Sequence, residues 1–177
     1  MRNSAYSALF EGLATRHGRI RHRPDSPRFA RIIVSVDPLQ RQVDLLEMQE
    51  VLLGRFLQPG AGEQVLVLES LQSSFSDNTG DNYQQRSRGA FFLLEQKSDD
   101  VEAWEILDRT EQSGEEILAA ARREYEDTVK VRFPVGAILS DAVGPLHDGT
   151  WYGTRFDFEI ISPANAALAY NPAAFIS

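Results

Sequence analysis

The chain has 177 residues, of which 42% are hydrophobic and 10% aromatic, so it can bury the core of one ordinary domain and is not a disordered protein. It contains no cysteine, which excludes disulfides, thiolate metal ligands and thiol nucleophiles, and it has no apolar run long enough for a membrane-spanning helix. Its net charge of −8 is uneven, because residues 1–31 carry +5 and residues 32–177 therefore carry −13, so the acidic body of the protein disfavours nonspecific binding to nucleic acid.

The first predicted element is a helix over residues 5–17. Ser4 is a suitable N-cap, because its hydroxyl can accept from a free backbone N–H group, and Gly18 is a suitable stop. The apolar side chains that share one face of this helix are Tyr6, Leu9, Phe10 and Leu13.

An arginine-rich segment follows and is the only basic patch in the sequence. Such a patch contacts phosphate or an acidic neighbouring subunit, or it is simply a solvated link between a helix and a strand. Because the rest of the chain is acidic, we expect the segment Arg16–Arg31 to pair with an acidic face of another copy. Its candidate contact residues are Arg16, Arg19, Arg21 and Arg23.

The next segments predict a strand and then a second helix. Phe29–Val36 has consecutive apolar residues, which is typical of a strand with both faces buried. Asp37 followed by Pro38 is typical of a helix start, and apolar residues recur at helical spacing to about residue 57. For part of this segment, an irregular strand over Glu47–Leu53 is the alternative.

Two short apolar segments, Val65–Leu68 and Ala90–Leu94, predict central strands. The polar segment Ser73–Gln85 between them is longer than a tight hairpin loop, so we expect a docking arm with aromatic anchors. Part of this segment weakly resembles a calcium loop, but Arg88 stands where the bidentate glutamate is required, which favours a flexible loop. The candidate contact residues of the arm are Phe75, Asp77, Asp81 and Tyr83.

The third predicted helix begins at Asp99 or Asp100 and extends to about Tyr125, with Ser113-Gly114 as a kink or division. Its apolar residues recur at helical spacing, so we expect them to lie in the core. They are Val101, Trp104, Leu107, Ile117, Leu118, Ala121 and Tyr125.

The clearest signal is a closing β-hairpin near the C-terminus. Val129–Phe133 and Thr154–Ile161 both alternate between apolar and polar residues, which is typical of strands with one buried face. We expect the apolar face to pack against the helix that carries Trp104 and Leu118. The polar residues predicted to face each other are Lys130 and Arg132 on the first strand and Glu159 and Asp157 on the second.

The turn of this hairpin is predicted at Gly144–Gly149, where glycine, proline and aspartate favour chain reversal. His147 and Asp148 lie in this turn and are further candidate contact residues. A C-terminal extension, residues 162–177, follows the hairpin, and its candidate anchors are Tyr170, Pro172 and Phe175.

The sequence contains no catalytic or metal-binding motif. His17 and His22 are five residues apart, which does not match the spacing of a helical metal pair. Most carboxylates fit solvated helix faces. We therefore expect no enzyme activity, no cofactor and no metal. The alternatives are a small soluble enzyme or ligand-binding domain that uses clustered carboxylates, and a monomeric adaptor.

The order of these elements resembles the tail terminator proteins of long-tailed bacteriophages, which are also called tail-completion proteins. The resemblance covers most of residues 4–161, whereas the Pro38–Leu57 helix and the residues after Ser162 are additions to the pattern. Related neck proteins or injection-system cap proteins remain alternatives. The segments that carry the resemblance are the Tyr6–Ala14 helix, the strand pair Gln64–Leu71 and Arg88–Gln96, the acidic Asp99–Glu126 helix, and the turn Asp148–Gly153 that leads into Thr154–Ile161.

The resemblance implies a single α+β domain, with a core over residues 4–161 and helices packed on one face of a mainly antiparallel sheet. It implies a virion protein of the tail or neck, made in the host cytoplasm. Copies are expected to form a ring, usually a hexamer, that caps the tail tube, stops its polymerisation and joins it to the head–tail connector proteins. DNA would pass through the pore without specific binding, and no membrane is involved.

Overall fold

A computed structural model describes residues 2–77, 83–128 and 131–174, and its six-stranded, mostly antiparallel sheet with helices confirms the predicted α+β fold. The strands are β1 (Phe29–Ile32), β2 (Gln64–Glu69), β3 (Gln72–Ser76), β4 (Gln84–Gln96), β5 (Leu139–Leu146) and β6 (Trp151–Pro163). The helices are α1 (Asn3–Arg16), α2 (Pro38–Met48), which continues as a π-helix (Gln49–Phe56), α3 (Ala103–Thr128) and α4 (Asn165–Leu168), with 3-10 turns at Val135–Ala137 and Pro172–Ala174.

The sheet has the strand order β1-β2-β4-β6-β5, and β3 pairs with β4 as well. β1 is parallel to β2, and the other pairs are antiparallel. The centre is the pair β4 and β6, which runs from Gln84↔Pro163 to Gln96↔Trp151. Every residue of β2 is buried, as are most residues of β4, which confirms the prediction of two central strands.

One face of the sheet is covered by α1 and α3 over a cluster of aromatic rings. Phe91 and Phe156 stack with their centroids 5.3 Å apart, and Phe158 stacks on Phe133 at the same separation. α3 runs from Ala103 to Thr128 without interruption, so the predicted division at Ser113-Gly114 is wrong. The glycine instead permits close packing, since a Cβ atom at Gly114 would lie 1.9 Å from Cε2 of Phe156.

The opposite face of the sheet is covered by α2 and the π-helix, so the expectation that helices pack on one face is wrong. The physical reason is that β2 and β4 carry apolar side chains on both faces, and each face requires a cover. The second core comprises Ala30, Met48, Leu53, Leu57, Val65, Val67, Phe92, Leu94 and Trp151.

The closing hairpin differs from the prediction in its first strand. β6 pairs with β5, whereas Arg132 makes only an isolated bridge to Ile161, and residues 129–130, including Lys130, lie outside the described residues. The predicted position of Arg132 opposite Asp157 or Glu159 is wrong, since Arg132 is opposite Ile161 and Asp157 is opposite Leu139. The burial prediction is nevertheless confirmed for Val131, Phe133, Phe156, Phe158 and Ile160.

Several predicted helix ends also change. α1 begins at Asn3 after Arg2 and has no side-chain cap, so Ser4 lies inside the helix. α3 begins at Ala103 rather than at Asp99 or Asp100. The start of α2 is confirmed, because the side chain of Asp37 accepts from two backbone N–H groups of the first turn.

Two predicted core segments are partly exposed. β1 ends at Ile32, and the side chains of Ile33 and Val36 beyond it are 86% and 78% exposed. Trp104 is 75% exposed, so it is not part of the core. In the C-terminal extension, Tyr170 and Pro172 are exposed and do not anchor in the core, and Phe175 lies outside the described residues.

Candidate assembly surfaces

A three-stranded arm extends from one end of the sheet. β3 and residues 84–88 of β4 form a hairpin, and residues 159–163 of β6 flank it. The edge strands β1 and β5 do not reach this end of the sheet. β1 pairs with Leu66–Glu69 of β2, and the β5 pair nearest the arm is Leu139↔Asp157. Within the predicted loop Ser73–Gln85, residues 73–76 and 84–85 are therefore strand. Asp77 follows β3 and Tyr83 precedes β4, whereas Asp81 lies outside the described residues.

The arm presents a strand edge together with exposed aromatic side chains. Within the part of the chain that the structure describes, β3 pairs with β4 alone, so its other edge has no strand partner. Phe75 is 53% exposed, and Tyr83 is also exposed. The arm is internally braced, because Ser73 Oγ lies 2.9 Å from Ser87 Oγ. A free edge with aromatic residues is a surface on which another chain can add a strand.

The arginine-rich segment is partly neutralised within its own chain. Arg16 forms an ion pair with Glu124 on α3, and Nη2 of Arg28 lies 2.6 Å from Oε2 of Glu63. Arg19 donates to the carbonyl oxygen of Arg109. The remaining candidates of this segment, Arg21 and Arg23, are exposed and form no ion pair with another described residue.

The turn that carries His147 and Asp148 lies elsewhere and packs on the π-helix. The backbone N–H of His147 donates to Oε1 of Gln49 at 3.3 Å. The imidazole lies against Gly54, where a Cβ atom would be 2.9 Å from Cε1. Both turn residues adopt positive φ angles of 33° and 54°. The predicted contact residues therefore fall into three separate places: the arm, the basic segment and this turn.

Sequence reasoning missed an apolar surface on α2. The helical spacing of its leucines and valines predicted the helix, but spacing alone does not say which face is buried. Leu39 is 76% exposed, whereas Met48 at the end of the helix is buried. The exposed apolar residues of α2 and the π-helix are Leu39, Val43, Leu46, Val51 and Phe56.

Buried charges beneath α2 neutralise one another. Glu69 accepts from Nε of Arg155 at 3.0 Å and from Nη2 of Arg41 at 3.1 Å, and Arg155 also pairs with Asp157. Burial opposes the charge on Arg155, but hydrogen bonds and attraction from Glu69 and Asp157 raise its pKa above the ordinary value. These carboxylates are therefore occupied in ion pairs.

A cavity of about 610 Å³ lies beside the start of α1 and the ends of β1 and β2. Among the described residues that line it, Glu69 is the one carboxylate, and the arginines already bind it. Burial, the largest cause, raises the pKa of Tyr6 well above its ordinary value, so the phenol stays neutral. The described lining of the cavity therefore lacks the pair of carboxylates that glycoside hydrolysis requires.

The described residues contain no group of three histidines or acidic residues that could hold a metal ion. No helix among them is both long and apolar enough to cross a membrane. In comparisons with known proteins, no family model and no curated protein matches this chain.

Proposed function

We propose that this chain is a structural subunit that resembles a phage tail terminator. Its copies form a ring, usually of six, that caps the tail tube, stops tube polymerisation and joins the tube to the head connector. The subunit is a component of the virion tail or neck and is not an enzyme. The observation that carries this proposal is the three-stranded arm, because its unpaired β3 edge and exposed Phe75 provide a means of docking to a regular assembly.

Three further features support an assembly role. The chain exposes apolar residues on α2, which are unusual on a surface unless another protein covers them. Its buried carboxylates Glu69 and Glu95 are each bound by arginine, so they are not free for acid–base chemistry. The acidic bulk of residues 32–177 suits a pore that DNA passes without binding, because like charges repel.

The test uses tubes polymerised from the tail tube protein of the same particle. Electron microscopy should show that the unaltered chain caps tube ends and limits tube length. Phe75→Glu should abolish capping, because it places a charge at the centre of the docking edge. Ser74→Glu is the matched control, since it adds the same charge to the opposite face of β3. Uncapped tubes with the unaltered chain, or full capping by Phe75→Glu, would contradict the proposal.

The alternative function, ligand binding without assembly, is favoured by the 610 Å³ cavity beside α1. Tyr6 and Ser7 line it, and the buried hydroxyl of Ser7 has no hydrogen-bond partner among the described residues. If the chain stays monomeric and small polar molecules raise its unfolding temperature, ligand binding is the better hypothesis. Ser7→Ala should then reduce that rise.

A further inference from the structure

The two edges of the main sheet differ in charge and lie at opposite ends of the strand order. β1 forms one edge and β5 forms the other, with β2, β4 and β6 between them. The charged residue of β1 is Arg31, and the arginine-rich segment precedes this strand, whereas the charged residue of β5 is Asp141. Opposite charge at opposite edges is the arrangement in which copies of one chain attract each other head to tail.

The β5 edge is open and lies beside an apolar groove. Among the described residues, β5 pairs with β6 only, and Leu139 on it is 64% exposed. Two cavities, of about 420 and 210 Å³, lie between β5 and α3. Trp104 lines the smaller one and Val135 the larger one, and both are exposed. An edge strand beside a groove is a site for a further extended segment.

The rim of this groove is acidic. Glu111 on α3 accepts from Ser140 Oγ on β5 at 3.3 Å, which places its carboxylate at the groove. Glu115 lines the larger cavity together with one basic side chain, Arg122, and Glu111 adds a second carboxylate beside it. Asp141 is exposed on β5 on the opposite face of the sheet, where it is paired across the strands with Arg155, so the charged residue of the edge strand itself is also acidic.

The β1 edge has the complementary character. The backbone N–H of Gln64 donates to the carbonyl oxygen of Arg19 at 2.9 Å, and that of Leu66 donates to the carbonyl oxygen of Arg28 at 2.8 Å. These bonds place the arginine-rich segment along the same side of β2 as β1. Arg31 on β1 is exposed.

The β1 edge therefore has both exposed arginines and exposed apolar side chains. The arginines are Arg21, Arg23 and Arg31, and the apolar side chains are those of Ile33 and Val36. The β5 edge has the same two components with the charge reversed. Apolar residues on both sides can exclude water, and the charges then fix which edges meet.

We propose that the basic β1 edge of one copy docks on the acidic β5 edge and groove of the next copy. The contact is head to tail, so that every copy offers one edge of each kind and repetition about an axis closes a ring. This inference rests on the proposed ring-forming function and names the two surfaces that form its subunit interface.

The test reverses the charge of each edge separately. One variant is Arg21→Glu/Arg23→Glu/Arg31→Glu, and the other is Glu111→Lys/Glu115→Lys/Asp141→Lys. In either variant alone, like charges meet at every contact, so sedimentation should show association at least about tenfold weaker than that of the unaltered chain. In an equal mixture, each reversed edge meets its reversed counterpart and each unaltered edge meets an unaltered one. The mixture should therefore assemble as alternating copies.

The control is Glu47→Lys/Glu50→Lys, which changes charges on α2 and the π-helix, and it should associate normally. A variant that cannot fold would not assemble after mixing, so rescue in the mixture shows that both variants are folded. Unchanged circular dichroism of each variant checks folding directly. If the unaltered chain associates but the variants associate equally well, or their mixture is not rescued, this inference is wrong while the ring-forming function stands. If the unaltered chain neither associates nor caps tubes, both are wrong.

Discussion

The two faces of the sheet are stabilised by different means, although the same strands supply both. On the face covered by α1 and α3, the interior consists of stacked and tilted aromatic rings, with Phe10 and Phe158 only 5.6 Å apart. On the face covered by α2 and the π-helix, Glu69 forms ion pairs with Arg41 of α2 and with Arg155 of β6. The first face has a mainly aromatic core with the single pair of Glu95 and Arg109 at one end, whereas on the second face one carboxylate is shared by two arginines.

The covers of the two faces also differ. α3 is 26 residues long and is regular, whereas α2 has 11 residues and passes into a π-helix of eight. π-helical turns are rare and often occur at functional sites. α2 also leaves Leu39 and Leu46 exposed. We therefore expect the aromatic face, which has the larger buried cluster, to supply most of the stability, while the other face carries surfaces for assembly.

The largest expected effect is on the aromatic face. Phe158 is buried and contacts the rings of Tyr6, Phe10, Phe91 and Phe133. Phe158→Ala should lower the free energy of unfolding by about 3–5 kcal/mol, because it leaves a cavity among rings that cannot close it. Chemical denaturation measures this loss.

The matched control is the next residue on the same strand. Asp157→Ala removes a half-exposed side chain whose partner is Arg155, and such pairs contribute about 0–1 kcal/mol. If both substitutions cost the same, β6 is covered equally on both faces and the contrast between the faces is wrong.

Much of the fold was predictable because burial leaves a pattern in the sequence. β2 and β4 were recognised from consecutive apolar residues, and the start of α2 from Asp37 and Pro38. β5 was missed because it is an exposed edge strand with a Gly144-Pro145 step, so its side chains do not alternate. Val129–Phe133 was predicted instead as the strand beside β6, because its apolar and polar residues alternate more clearly.

The candidate surfaces were less predictable, because they depend on which elements meet. β3 is polar and has no apolar face from which a strand could be predicted. It is a strand because its backbone pairs with β4. The exposed Trp104 was assigned to the core because helical spacing does not distinguish a buried face from a face that awaits a partner. The opposite charge of the β1 and β5 edges appears only once the strand order is known.

A smaller effect is expected from the buried charges of the second face. Glu69→Ala leaves Arg41 and Arg155 facing each other without their shared carboxylate. Because both arginines are partly exposed and can regain water, the expected loss is about 2–3 kcal/mol, below that of a fully buried pair. Thermal and chemical unfolding of the variant measure it.

The partner variant of this test is Glu69→Leu/Arg155→Leu, which replaces the main pair with apolar side chains. It should recover part of the loss, since an apolar pair of similar volume is often as stable as a buried ion pair. A double variant that is less stable than Glu69→Ala would show that the charges stabilise this face directly.

The smallest effect is expected where the cover of the second face begins. Oδ1 of Asp37 accepts from the backbone N–H groups of Leu39 and Gln40 at 2.9 and 3.1 Å, so Asp37→Ala removes the cap of α2. The expected loss is about 1 kcal/mol, and Asp37→Asn, which can still accept, should lose less. Hydrogen exchange should show faster opening of α2 and unchanged protection of α3, because the aromatic face does not depend on this cap. Equal acceleration of exchange in both helices would mean that the two faces unfold as one unit. The faces would then differ in composition but not in stability.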